Sequence, residues 1–220
     1  MTGGQFAHIQ GAAALTILLL LNVAHQSPSA TAAALCPDVE VVFARGTGEQ
    51  PGIGGVGQAF VDSLRPQVGA RSVGVYAVNY PAGDDYPNSA PSGAQDASAR
   101  VQYMTANCPS TRIVLGGYSQ GAGVIDLITA PTAPAPGFTP APMPPDVADH
   151  VVAVAVFGNP SMKSGGGPLT TISPLYGAKA IDLCMPLDPV CSESLLPFMH
   201  YLYVQSGMVN QAASFVASRL

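Results

Sequence analysis

Charge is scarce in this sequence. Of its 220 residues, 10% are Asp, Glu, Lys or Arg, against 48% hydrophobic residues. A chain this apolar can bury a core, which excludes a disordered polar chain. The 8 Lys and Arg residues form no cluster and the formal net charge is −5, so neither nucleic acid nor an anionic membrane surface is expected as a partner. No C-x-x-C pair or adjacent His accompanies the cysteines, so no metal site is expected.

The scarcity is complete over the first 35 residues, which hold no Asp, Glu, Lys or Arg. Within them an apolar run from Ala12 to Val23, broken by Thr16 and Asn22, leads to Ser27, Ser29 and Ala30 to Ala34. An apolar core followed by an Ala-x-Ala-like site is the layout of a secretory signal peptide. Residues 1–34 are therefore read as the signal and 35–220 as the mature domain, although the usual basic residue near the start is missing. The rival, an uncleaved membrane anchor, needs about 20 spanning residues, more than this run supplies. Export suits Cys36, Cys108, Cys184 and Cys191, which all follow the signal. Four cysteines allow three connectivities. Cys184 and Cys191 bracket a short loop and are paired, which leaves Cys36 for Cys108.

What remains is punctuated by 24 Gly and 21 Pro, the mark of many turns and ordered loops. The stretch around which it is organised is Arg112-Ile113-Val114-Leu115-Gly116-Gly117-Tyr118-Ser119-Gln120-Gly121-Ala122-Gly123. An apolar β-branched run enters Gly117-x-Ser119-x-Gly121 and a helical pattern leaves it. This is the pattern of a nucleophile elbow, a sharp strand-to-helix bend that pushes a hydroxyl outward. The alternative is a plain corner whose serine caps the helix.

Along the chain, strands are expected over 39–44, 73–80, 113–118, 151–157 and 179–183. Helices are expected over 56–68, 94–107 and 121–129, with an amphipathic tail over 207–220 whose stripe of Met208, Val209, Ala212, Phe215 and Val216 faces the core. In the first helix Val56, Phe60, Val61, Leu64 and Val68 recur at helical spacing. Residues 81–91 read as a polar loop. The Pro-rich segment 130–146 reads as an ordered surface loop rather than a domain linker. Strands alternating with helices mean a parallel sheet covered on both faces. The expected fold is one α/β domain, a three-layer α/β/α sandwich with a central five-stranded parallel sheet.

A serine hydroxyl needs a base to take its proton and an acid to orient that base. In this fold class they follow in the order Ser, Asp or Glu, His. Of the four His residues, His8 and His25 lie in the signal and His150 reads as a strand-edge residue, which leaves His200. Among the acids, Asp126 stands on the helix behind the elbow at an exposed or packing position, Asp146 and Asp149 precede a strand, and Glu193 lies in a flexible-looking stretch. Asp188 lies beyond the last strand in the loop bracketed by Cys184 and Cys191, where a disulfide would hold its carboxylate against the imidazole. Asp188 is chosen, with Asp182 as the fallback. The oxyanion hole is assigned to the Gln120 N–H and to Thr47, in the loop after the first strand.

Gly117-Tyr118-Ser119-Gln120-Gly121, Cys184-x-x-x-Asp188-x-x-Cys191 and His200 together resemble the cutinase family, and more closely bacterial cutinase-like serine esterases, from about Cys36 to Leu220. The resemblance implies a small lidless α/β-hydrolase with a Ser119–Asp188–His200 triad, the disulfide pairs given above, an oxyanion hole at Thr47 and Gln120, and no cofactor. It implies hydrolysis of carboxylic esters: cutin, short-to-medium acyl esters, in some members triglycerides or phospholipids, and in a related branch acetylated xylan. The chain departs from the fungal pattern in Thr47, where Ser is frequent, and in its Pro-rich insertion. Both leave the choice of substrate open.

The expectation is a secreted serine esterase, monomeric, acting on ester or lipid substrates outside the cell or at its envelope. Leu195-Leu196-Pro197-Phe198-Met199 leads into His200 and reads equally as a lipid-contacting rim or as a buried segment. Three rivals stand beside this reading. One is a non-catalytic binding or surface protein on a hydrolase scaffold. Another is an acetylxylan-type esterase. The third is a dinucleotide-binding oxidoreductase built on Gly52-Ile53-Gly54-Gly55-Val56-Gly57, disfavoured because its glycines begin well past the strand and no acid ends the second strand.

Overall fold

Five parallel strands form one sheet in the order β2-β1-β3-β4-β5. They are β1 (Val39–Ala44), β2 (Val73–Ala77), β3 (Arg112–Tyr118), β4 (Val151–Phe157) and β5 (Ala180–Leu183) in this computed structural model. The structure describes residues 1–4, 36–132, 136–164 and 166–220. The apolar run 12–23, His8, His25 and the small residues 30–34 lie outside the described residues. Among the described residues no helix is long and apolar enough to cross a membrane.

The three layers follow from strand alternation, which sends successive side chains to opposite faces. Val41 and Phe43 of β1 join Val114, Ala155 and Phe157 on one face, under Phe60 and Leu64 of α1 (Gly54–Leu64) and Val209 and Val216 of α4 (Met208–Ala217). Val42 and Ala44 join Leu115, Val154 and Val156 on the other, under Ala97 and Val101 of α2 (Tyr86–Asn107) and Val124 and Ile128 of α3 (Gln120–Thr129). Covered on both sides, β1 is buried at every position. The disulfides are Cys36–Cys108 and Cys184–Cys191.

The elements depart from expectation in three places. Helix α2 begins at Tyr86, eight residues before the expected 94, and takes in Pro87 and Pro91. Pro87 sits in the first turn, where its missing N–H has no helical partner to lose. The buried series Ala90, Ala94, Ala97, Val101 and Met104 outweighs the bond that Pro91 forgoes. Strand β2 stops at Ala77, after which Asn79 N–H turns to the Asp96 carboxylate at 2.8 Å. Helix α1 ends at Leu64 and tightens into a 3₁₀ turn at Arg65–Gln67, where Pro66 cannot continue it.

Of the Pro-rich segment, residues 138–143 lie along α3. Ala141 N–H donates to the Leu127 carbonyl at 2.8 Å and Met143 N–H to that of Ile128 at 2.9 Å. Met143 is buried and Phe138 packs on the core.

Register brings the chemistry to one edge. Ala44 pairs with Gly117, Tyr118 with Phe157 and Phe157 with Leu183, so the loops after β1, β3, β4 and β5 emerge side by side. Ligands of open parallel sheets gather at this carboxyl edge.

Candidate active site

Ser119 stands between the last residue of β3 and the first of α3, with φ 56° and ψ −119°. Positive φ costs a non-glycine residue energy, so the surroundings must impose it. A Cβ at Gly117 would overlap the Gly121 carbonyl, and a Cβ at Gly121 would overlap the Ala44 carbonyl. The two glycines let strand and helix close to this distance, and the serine takes up the strained corner. Its carbonyl accepts from Ala122 N–H at 2.9 Å and its own N–H donates to the Phe157 carbonyl at 2.9 Å. The first N–H groups of a helix lack intrahelical partners, and that of Gln120 comes directly after the serine.

Asp188 and His200 meet. His200 Nδ1 lies 2.7 Å from Asp188 Oδ2, with Asp188 fully buried and His200 9% exposed. The carboxylate fixes the ring orientation and leaves Nε2 unengaged by it. Two more donors hold Asp188: Tyr203 Oη donates to Oδ2 at 2.6 Å and Val190 N–H to Oδ1 at 2.9 Å. Burial pushes the Asp188 carboxyl up, but bonds from His200, Tyr203 and Val190 outweigh it and hold it below its ordinary range. The Cys184–Cys191 bridge closes this loop, whose Ser192 N–H returns to the Asp188 carbonyl at 2.9 Å. Asp182 bonds instead to Asn159 Nδ2 and Leu169 N–H, each at 2.8 Å.

The imidazole is set beside the elbow by Tyr118, the residue before the serine. The two rings stack with centroids 4.9 Å apart, and Tyr118 Oη donates to the His200 carbonyl at 2.6 Å. Among the described residues no hydrogen bond joins Ser119 Oγ to the His200 ring; contacts of this kind are often loose before substrate binds.

The loop carrying Thr47 is clipped in place by Glu49, whose Oε2 accepts from Gly46 N–H at 2.6 Å and whose Oε1 accepts from Gly55 N–H at 2.7 Å. Arg45 donates to the Glu49 carbonyl at 2.9 Å and to that of Tyr80 at 2.8 Å, and Tyr80 Oη donates to the Arg45 carbonyl. The glycines 52–57 thus open α1, and its N-terminus already receives the Glu49 carboxylate where a dinucleotide phosphate would lie. Across the site, Gln120 Nε2 donates to the Gly83 carbonyl at 2.9 Å and its Oε1 accepts from Ser89 Oγ at 2.9 Å. That clamp fixes the residue whose N–H would face an oxyanion.

Ser119 opens onto an apolar cavity of about 270 Å³, walled by Tyr86, Ala90, Phe138, Pro160 and Val190. In the chain that carries Asp188 and leads through His200, Leu187, Leu195, Leu196, Phe198 and Tyr201 are exposed, Leu195 at 92%. Residues 195–198 are exposed, so the buried reading of this segment does not hold.

The comparisons decide the family. Residues 35–220 match the family model named Cutinase. The chain belongs to the cutinase family. This cutinase-family chain is 54% identical over 231 residues to carboxylesterase Culp1 of Mycobacterium tuberculosis, covering 100% of this chain and 98% of that protein. It is 53% identical over 209 residues to phospholipase Culp4 of the same organism, covering 95% and 89%. A solved Trichoderma reesei cutinase in complex with a phosphonate inhibitor matches with TM-score 0.65 and 29% identity, over 83% of this chain and 76% of the other.

Several supporting residues lay beyond sequence reasoning. Tyr118 was within reach, since it lies inside the Gly-x-Ser-x-Gly motif itself. Tyr203, Glu49, Ser89 and Phe138 carry no local pattern that announces them. Asp126, expected at an exposed or packing position, is fully buried, and neither of its carboxylate oxygens has a hydrogen-bond partner among the described residues. Burial pushes its carboxyl up to about 7; Asp182 adds to the rise, while Ser161 and Asn159 stand close enough to pull against it. Asp182 is likewise pushed by burial to about 6, against its bonds from Leu169 N–H and Asn159.

Proposed function

We propose that this carboxylic ester hydrolase of the cutinase family works through Ser119, His200 and Asp188 by way of an acyl-enzyme. His200 takes the Ser119 proton as Oγ attacks the ester carbonyl carbon. The carbonyl oxygen gains the negative charge and faces the Gln120 N–H and the Thr47 loop. The C–O bond to the alcohol breaks and His200 returns the proton to the leaving oxygen. Water, deprotonated by His200, then attacks the acyl carbon; the bond to Oγ breaks, His200 returns the proton to Oγ, and the acid leaves. Asp188 stays ionised throughout and steadies the imidazolium.

The observation that carries this reading is the pairing of a buried, three-fold hydrogen-bonded Asp188 with His200 beside a strained serine at the mouth of an apolar cavity. The cavity supports acyl chains of several carbons over an acetyl group. The exposed Leu195, Phe198 and Tyr201 support transient contact with a lipid surface, and the two disulfides support an exported chain with 1–34 as its signal.

The test is hydrolysis of p-nitrophenyl butyrate by the mature chain and by its Ser119→Ala variant. The variant is expected to lose roughly four to six orders of magnitude in kcat while remaining folded. Retained hydrolysis in the variant would remove Ser119 from the mechanism.

A further inference from the structure

Along the elements that wall the cavity at Ser119 lies a second one. A larger groove of about 600 Å³ lies over α2, α3 and the Pro-rich segment, and on all three elements its lining begins where that of the inner cavity stops. On α2 the inner cavity ends at Ala90 and the groove starts at Pro91 and Ala94. On α3 the step is from Gly123 to Leu127, one helical turn. On the Pro-rich segment it is from Phe138 to Thr139 and Ala141. Three elements that hand over within four residues describe one trough, floored by α3 and walled by α2 and residues 138–141. Half-buried Phe138 stands at the junction.

The groove is uncharged like the inner cavity but more polar, with Gln95, Ser98, Gln102 and Thr139 along its lining. Leu127 is an apolar floor and Ala94 an apolar base to the α2 wall, while Ser98, Ala99 and Ala141 are small and leave its width open. No Asp, Glu, Lys, Arg or His lines it. From Ala94 to Tyr103 it follows α2 for about 13 Å, at 1.5 Å per residue. A cavity near 150 Å³ takes up benzene, so the inner 270 Å³ holds about ten carbons. A longer chain attached at Ser119 must pass Phe138 into the groove or stay in water.

We propose that this groove is a second acyl subsite, which takes the distal part of a long acyl chain whose carbonyl lies at Ser119. Phe138 is the residue that sets where the inner subsite ends and the outer one begins. The occupant is one continuous alkyl chain, because the groove's lining takes up where that of the ester cavity stops and offers no group to pair with a charge. The proposal rests on Ser119 being the nucleophile, as proposed above.

The experiment measures kcat/KM of the mature chain on p-nitrophenyl esters from butyrate to palmitate, each kept monomeric, beside Ala99→Trp and Ala141→Trp. These exposed positions lie on opposite walls of the groove, beyond the reach of a butyryl group. Each methylene returned to water costs up to about fourfold. Palmitate hydrolysis is expected to fall at least tenfold in either variant, while butyrate hydrolysis, which also reports that the variant is folded, stays within twofold. Phe138→Ala is expected to raise palmitate relative to butyrate. Tryptophan variants that hydrolyse every length as the parent does would overturn the groove while leaving the esterase standing. A parent that hydrolyses no ester at any length would overturn the Ser119 reading, and the groove with it.

Discussion

Asp188 and Asp126 are both fully buried, yet their surroundings drive their carboxyls in opposite directions. Asp188 receives His200, Tyr203 and the Val190 N–H, and sits below its ordinary range. Asp126 receives no hydrogen bond among the described residues and is raised to about 7. Burial by itself favours the neutral acid. The acid proposed to stay charged beside an imidazolium has donors on both oxygens, supplied by the Cys184–Cys191 loop and the His200–Tyr203 turn. The elbow helix offers Asp126 nothing equivalent, so its carboxyl drifts toward neutrality two turns from the nucleophile.

The sharpest way to break the contrast is to remove the charge from the satisfied site. Asp188→Asn keeps the shape and turns an acceptor toward His200 into a group that can donate, which favours the wrong tautomer. The expected loss is about 10⁴-fold in kcat on p-nitrophenyl butyrate at neutral pH. A loss under tenfold would mean that another group orients His200. The native acid also stabilises the fold. Its carboxyl is lower in the folded than in the unfolded chain, so this contribution is present above the unfolded value and lost as pH falls through the folded one. Urea unfolding of Asp188→Asn across acidic pH is expected to show a shallower decline than the parent.

Asp126 carries the opposite sign. Its folded value of about 7 lies above the ordinary 3.8, so between them the native state binds more protons than the unfolded chain. Stability contributed by this group is full below the unfolded value and falls as pH rises through the window to about 7. Asp126→Asn is expected to flatten that fall and to be more stable than the parent at pH 8, by on the order of a few kcal/mol. Hydrolysis of the butyrate ester is expected to change less than threefold. Equal urea midpoints for parent and variant at pH 5 and pH 8 would show that Asp126 titrates as an ordinary carboxyl.

The contrast between the two acids was only half legible in the sequence. The meeting of Asp188 with His200 was suggested by a local frame, since a loop bracketed by cysteines just past the last strand has few places to put a carboxylate. The strands were legible for a related reason. Runs such as Val151–Phe157 are apolar throughout because both faces are covered, and no helix of that composition would fit between turn signals so close together. Asp126 could not be read, because a helix interior residue is exposed or buried according to what packs on it, and what packs there comes from residues 159–161 and from β5. The start of α2 was hidden by Pro87 and Pro91, although Ala90, Ala94 and Ala97 keep helical spacing across them. Phe138 was hidden for the same reason as Asp126: its position is fixed by bonds from Ala141 and Met143 to the far end of α3. The segment 195–199 offered no choice between rim and core, since apolar residues in a loop mark either.

Tyr203 tests the contrast most finely, because it changes the donor count on Asp188 without touching the charge. Its hydroxyl donates to Asp188 Oδ2 at 2.6 Å and accepts from Met185 N–H at 3.0 Å, and its ring packs edge-on against His200, Tyr118 and Phe157. Tyr203→Phe keeps the ring packing and removes both bonds. A hydrogen bond to a charged group contributes about 1.5–3 kcal/mol, and the Met185 N–H would lose its partner as well, so destabilisation of about 2 kcal/mol is expected. With one donor gone the Asp188 carboxyl should rise toward the direction in which burial already pushes it. The rate is then expected to drop about tenfold, with the acid limb of the kcat profile displaced to higher pH. A purely structural tyrosine would lower the urea midpoint and leave that limb in place. If the limb does not move, two donors are enough to hold the carboxylate, and the gap between Asp188 and Asp126 is set by His200 and the Val190 N–H alone.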